Sequence, residues 1–131
     1  ITLPAEPAVV LKPTFDAGDA IATLKQWAAF WSAQDVTGYL SVYDSSYRPG
    51  KGLSREQWQA ERRVRLRKPG SIEVTLSDYE VATSSEGELT VKVLQRYRSD
   101  RYSDNTRKRF VLVPRTEGWK IREEETIEVI N

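Results

Sequence analysis

Gln95-Arg96-Tyr97-Arg98-Ser99-Asp100-Arg101-Tyr102-Ser103-Asp104, followed by Arg107 to Val113 and then Gly118-Trp119-Lys120-Ile121, decides the fold. Side chains alternate across a strand, so residues two apart share a face. A strand from Glu88 to about Tyr102 therefore sets Val91, Val93, Gln95, Tyr97 and Ser99 on one side, in line with Leu89. A strand from Arg107 to Val113 sets Lys108, Phe110 and Leu112 together, and one from Trp119 to Val129 groups Trp119, Ile121, Glu123 and Glu125. Asp104-Asn105 and Glu117-Gly118 are the turn candidates between them. Upstream, Ile72, Val74 and Leu76 alternate with Glu73, Thr75 and Ser77, and Glu86-Gly87 closes that strand. Four strands joined by short turns predict an antiparallel meander. Its polar and charged residues sit where a plain sandwich has only core, which suggests that one face lines a cavity.

The first half of the chain has helical spacing instead. Asp16 or Asp19 can cap a helix running to about Ser32, with Ala20, Leu24, Trp27 and Trp31 in one stripe and Ile21 and Ala28 beside them. Asp35 caps a short second helix with Tyr39, Leu40 and Tyr43 facing inward. Ser54 and Gln57 form a capping box for a third, which reaches about Lys68 and stops at Pro69-Gly70. Leu53, Gln57, Ala60 and Val64 read as its inner stripe, widened by Trp58 and Leu66. Arg62, Arg63, Arg65, Arg67 and Lys68 read as its solvated side. The prediction is an α+β domain with three N-terminal helices packed on a strongly curved antiparallel sheet of four or more strands. Residues 1–13, with Pro4, Pro7 and Pro13, read as a linker from an upstream domain, and residues 14–131 as the domain itself.

Composition narrows the chemistry. The chain has 131 residues, enough for one core, and 39% of it is apolar, including four Trp. Twenty basic and 19 acidic residues give a net charge of +1 and argue for no nucleic-acid partner. Acidic Glu61, Asp100 and Asp104 also interrupt the basic segments. No apolar run approaches the roughly 20 residues that cross a bilayer, so no membrane insertion is expected. There is no Cys and no His, which removes thiol nucleophiles, Ser-His triads and the commonest metal ligand. No metal and no cofactor is expected. The contiguous Glu123-Glu124-Glu125 points to alternating faces, which suits ion pairing better than chelation. The absence of Met makes this a processed chain or a piece of a longer one.

Several segments together resemble the nuclear-transport-factor-2-like superfamily, also called cystatin-like or SnoaL-like. They are the Trp27/Trp31 helix, Asp35-x-x-x-Tyr39-Leu40-x-x-Tyr43, Lys51-Gly52-Leu53-Ser54-Arg55-x-x-Trp58, Tyr97-x-Ser99-Asp100-x-Tyr102-Ser103-Asp104 and Gly118-Trp119-Lys120-Ile121-x-x-Glu124. More narrowly, the chain is similar to the C-terminal domain of bacterial L,D-transpeptidase-type and tetratricopeptide-repeat envelope proteins, from about Thr14 to Ile130. The resemblance implies a cone with a pocket at its wide end, an accessory role in a larger polypeptide, and an extracytoplasmic location in the periplasm or cell envelope. It does not imply catalysis here: transpeptidation of that type needs a Cys, and the chain has none.

Strand parity and the helical tyrosines converge on one expected ligand site: Tyr43, Tyr47, Tyr97, Lys108, Glu123 and Glu125. A small molecule, a peptide or a peptidoglycan fragment is the expected ligand, and the upstream domain the expected covalent partner. No catalytic residue is assigned. Three other readings stand beside this one. The charged residues can be plain cross-strand ion pairs. Glu123 or Glu125 with Tyr97 can serve a small-molecule isomerase, lyase or hydrolase through a carboxylate base. The outer sheet face can make a homodimer.

Overall fold

The structure is a computed structural model and describes residues 17–83 and 87–130. The proposed linker, the Asp16 cap and Glu86 of the proposed turn lie outside the described residues. The elements run in the expected order: α1 (Ala17–Ser32), α2 (Val36–Ser41), α3 (Arg55–Arg67), β1 (Ile72–Thr83), β2 (Leu89–Ser99), β3 (Ser103–Arg115) and β4 (Gly118–Val129). The four strands form one antiparallel sheet in the order β1-β2-β3-β4. The fold class is α+β, with the helices against one face of a curled sheet.

α1 forms where its apolar residues fall at helical spacing, and it buries Ala20, Leu24, Trp27, Ala28 and Trp31. Trp27 is fully buried, with ring centroids 5.2 Å from Trp31, 5.8 Å from Tyr39 and 5.1 Å from Phe110 of β3. The Ser32 hydroxyl accepts from the Val74 amide at 2.9 Å and ties the end of α1 to β1. Gln34 turns the corner with φ 59°, and its Nε2 donates to the Leu66 and Pro69 carbonyls at 2.9 and 2.8 Å, closing the end of α3. Asp35 caps α2 through the Gly38 amide. A Cβ at Gly38 would collide with the Phe30 ring, so α1 and α2 can approach this closely only with glycine there.

The capping box at Ser54 and Gln57 is present as expected. Ser54→Ala leaves the Gln57 amide without its side-chain partner and is expected to lower stability by about 1 kcal/mol in urea unfolding. An unchanged midpoint would show that this cap contributes nothing.

α3 differs from expectation in which side it buries. Gln57, Ala60 and Val64 are exposed, Val64 at 62%. The inner row is Arg55, Trp58, Arg62 and Leu66, at helical spacing. Arg62 thus leaves the solvated basic side and faces the core.

Two strand boundaries also move. Asp104 and Asn105 lie inside β3 rather than in a turn, because the chain already reverses at Asp100–Tyr102. There the Ser99 amide donates to the Tyr102 carbonyl at 2.7 Å. β2 accordingly ends at Ser99.

The register of β3 with β4 slips twice. Val111 pairs with Glu123 but Leu112 with Ile121, so Arg122 is an extra residue; Ile127 is skipped between Glu128 and Thr126. Each slip is a β-bulge, which bends the strand and exchanges its faces. After α2, Tyr43 makes a single parallel bridge to Ile121 rather than a fifth strand. The Asp44 amide donates to the Ile121 carbonyl at 2.7 Å, and the Ile121 amide to Val42 at 2.9 Å.

Candidate functional site

The first bulge decides what lies inside the cone. Trp119 and Ile121 face the helices as expected, but the extra Arg122 turns Glu124 inward and Glu123 and Glu125 outward. Glu123 and Glu125 are exposed and hold Arg109 from the outer face, at 3.2 and 2.8 Å. The expectation that they share the concave face is corrected: simple alternation fails at an inserted residue.

Glu124 occupies the interior instead. Its Oε2 is 2.6 Å from Lys108 Nζ, and both side chains are nearly inaccessible, 5% and 9% exposed. Its Oε1 accepts from the Tyr43 hydroxyl at 2.6 Å. Tyr43 has one hydroxyl proton and gives it to the carboxylate, so the Tyr39 hydroxyl, 3.1 Å away, donates to Tyr43. Trp27 Nε1 donates to the same oxygen at 3.1 Å. Lys108 Nζ lies 5.7 Å from the ring centroids of both Trp27 and Trp31. On the other side, the Arg62 guanidinium lies 5.9 Å from the Trp58 ring centroid, and its Nε has no partner among the described residues.

These charges set the titration. Burial pushes the Glu124 carboxyl up, but the Lys108 and Arg62 charges and the hydrogen bonds from Lys108 and Tyr43 outweigh it, holding the group at about 2 against an ordinary 4.5. Burial first, and then the Glu124 charge, raise Tyr47 to about 12 and push Tyr43 well above its ordinary value of 10. Burial opposes the Arg62 charge, and the negative charge of Glu124 favours it.

A carboxyl lowered by folding contributes stability that is fully present above its unfolded pKa, near 4.5, and is lost as pH falls through about 2. Asp44 is also held well below its ordinary range, chiefly by the bidentate hydrogen bonds of Arg115 at 2.7 and 2.9 Å. Stability is therefore expected to be flat with respect to these two groups between pH 5 and 7 and to fall steeply from about 4.5 downward. Glu124→Gln should flatten part of that fall in urea titrations at stepped pH. An identical slope in wild type and variant would refute the assignment.

Lys108, one partner of the ion pair, lines a cavity. The space, of about 440 Å³, is lined by Trp31, Gln95, Tyr97, Asp104, Thr106 and Lys108, with Arg65, Tyr102 and Thr126 at its edges. The β2–β3 register builds its wall: Gln95 faces Thr106 and Tyr97 faces Asp104. Gln95 and Thr106 are buried, 4% and 6% exposed. Gln95 Oε1, Thr106 Oγ1, Asp104 Oδ1 and Trp31 Nε1 are all buried without a hydrogen-bond partner among the described residues. Buried polar atoms are nearly always satisfied in folded proteins, so four such atoms around one space make it the candidate site.

Of the expected site residues, Tyr97 and Lys108 line this cavity together. Tyr43 is bonded to Glu124 and lines a different hollow, of about 1100 Å³, with Ser41, Asp44 and Trp119. Tyr47 packs on Tyr43 and Trp58 and lines a separate cleft of about 900 Å³, with Glu123 at that cleft's edge. Glu125 lines none of them. Sequence reasoning missed Glu124, Arg62, Gln95's open carbonyl and the Asp104–Thr106 wall. One signal was available: of three consecutive glutamates opposite the Lys108-Arg109-Phe110 strand, at least one must share the face of Lys108.

The family model described as the Cds6 C-terminal NTF2-like domain matches residues 19–125. No curated protein matches the chain. Among solved structures, Bd1075 from Bdellovibrio bacteriovorus is similar, with a TM-score of 0.73 and 28% identity over 83% of this chain and 39% of that one. A mutant of the helical cell shape determining protein Pgp2 from Campylobacter jejuni has a TM-score of 0.74 and 19% identity, over 81% of this chain and 39% of that one. A candidate dehydratase of the NTF2-like family from Streptomyces avermitilis has a TM-score of 0.75 at 14% identity, over 91% of this chain and 99% of that one. The chain thus spans about two fifths of the length of the first two, and all three share its fold.

Proposed function

Because this chain belongs to the Cds6 C-terminal NTF2-like domain family, we propose that it is a non-catalytic ligand-binding accessory domain of a larger bacterial cell-envelope protein. Its ligand is a peptide or peptidoglycan fragment held in the Gln95–Tyr97–Asp104–Thr106 cavity. The observation that carries this reading is the set of four unpartnered polar atoms around a space of about 440 Å³. An extracytoplasmic setting and an upstream domain belong to the same proposal. They are supported by the likeness to Pgp2, named for cell shape, and by the shorter span of this chain. Among the described residues no helix is long and apolar enough to cross a membrane.

A hydrolase, lyase or isomerase reading is supported less well. It needs a carboxylate that can take a proton near neutral pH. Glu124 is inside, but Lys108 and Tyr43 occupy both its oxygens and hold it at about 2. Glu123 and Glu125 are outside, in contact with Arg109.

The test uses Thr106→Val and Gln95→Leu. Removing a buried, unsatisfied polar atom is neutral or stabilising, so Thr106→Val should leave the melting temperature unchanged or raise it, by up to about 1 kcal/mol in stability. Both variants should abolish the thermal shift produced by a muropeptide digest. A saturating ligand, at about 100 times its dissociation constant, adds roughly 2.7 kcal/mol. Retention of the full shift in both variants would place binding elsewhere.

A further inference from the structure

The unpartnered atoms differ in what they ask of a ligand. Asp104 has one oxygen engaged by the Tyr102 hydroxyl at 2.9 Å, while Oδ1 is buried with no partner. No cation pairs with Asp104 among the described residues; of the two cations that line the cavity, Lys108 is taken by Glu124 at 2.6 Å and Arg65 is exposed. A buried carboxylate oxygen without a cation or donor is costly, and a ligand that brings one relieves it. Gln95 Oε1 and Thr106 Oγ1 are two further buried, unpartnered acceptors on paired β2 and β3 positions. The wall beside them is aromatic: the Tyr97 ring centroid is 5.4 Å from Trp31 and 6.2 Å from Tyr102. An acid, two neutral acceptors and a π-face together recognise an ammonium group.

The mouth has the opposite sign. Arg65 projects from α3 at the cavity edge, is exposed, and has no ion pair among the described residues. Lys68 and Arg101 line an adjoining hollow of about 420 Å³ that shares Arg65, Tyr97 and Tyr102 with the cavity. Acid inside and base at the rim fit a ligand with both charges.

Resting on the ligand-binding reading of this cavity, we infer that it selects the free amine end of a zwitterionic amino acid or short peptide. The ammonium sits against Asp104 and the Tyr97 face, and the carboxylate points outward to Arg65. A neutral glycan, by contrast, leaves Asp104 without a cation.

The experiment is amide-resolved NMR titration of the whole chain with four probes: alanyl-alanine in its L,L and D,D forms, N-acetyl-alanyl-alanine, alanyl-alanine amide, and N-acetylglucosamine. The expected result is saturable shifts at Gln95, Tyr97, Asp104 and Thr106 with the free dipeptide. N-acetylation should weaken binding at least tenfold and C-amidation less so. Asp104→Asn should remove the preference for the free amine while its spectrum stays folded, and Arg65→Ala should remove the preference for the free carboxylate. If N-acetylglucosamine or the acetylated dipeptide shifts the same amides as strongly as the free dipeptide, the amine selection is wrong and the cavity reading stands. If no probe and no muropeptide digest shifts these amides, both are overturned.

Discussion

Glu124→Leu is expected to destabilise the protein by about 3–5 kcal/mol, the range for removing one partner of a buried ion pair. Three consequences combine. Lys108 loses the carboxylate 2.6 Å from its Nζ and stays 9% exposed, with the Trp27 and Trp31 rings 5.7 Å away. The Tyr43 hydroxyl loses its acceptor, at a buried position where an unmade hydrogen bond costs about 1–3 kcal/mol. Arg62, whose charge this carboxylate helps to offset, is left facing three neutral tyrosine hydroxyls. The pair need not stabilise relative to apolar residues of similar volume. Glu124→Leu with Lys108→Met should therefore recover most of the loss, and equilibrium urea unfolding of both singles and the double gives the coupling directly. Additive losses would mean that the two side chains do not depend on each other.

Trp27→Ala is expected to cost about 3–5 kcal/mol as well, by a different route. Trp27 is fully buried and touches the rings of Trp31, Tyr39 and Phe110, so it joins α1 to α2 and to the sheet. Truncation leaves a cavity that three aromatic neighbours are too constrained to fill. It also removes a donor to Tyr43 and one of the two aromatic faces near Lys108. Thermal and urea denaturation both report it; a melting temperature within a degree or two of wild type would mean that the tryptophan pair is peripheral to the core.

Much of the fold was legible because local signals agreed. Asp35, Ser54 and Gln57 stand where helices begin, and Pro69-Gly70 where one ends. Val91, Val93, Phe110 and Leu112 alternate as a half-buried sheet requires. The candidate site was legible only in part, and each failure has a physical cause. Alternation placed Tyr97 and Lys108 correctly because β2 and β3 pair without a slip from Leu89 to Arg98. It misplaced Glu123 and Glu125 because β4 carries an extra residue at Arg122, and no glycine or proline marks that bulge. The helical stripe of α3 was set one face away because apolarity counted Val64 inward and Arg62 outward. Tyrosine hydroxyls, a tryptophan face and Glu124 make the interior polar enough to hold a guanidinium there. Asp104 was read as a turn residue because Asp-Asn favours turns, whereas the reversal occurs four residues earlier through the Ser99 and Tyr102 backbones.

The Lys108–Glu124 pair and the Gln95–Thr106 wall have separate roles on this account: the first holds the cone together, the second receives the ligand. The measurement that tests this most directly is chemical-shift mapping of a muropeptide digest onto the isotopically labelled chain. The account predicts saturable changes concentrated at Gln95, Tyr97, Asp104, Thr106 and Lys108, lost in Thr106→Val while the protein remains folded. Changes confined to the Tyr47–Glu123 cleft or to the outer face around Arg109 would contradict it.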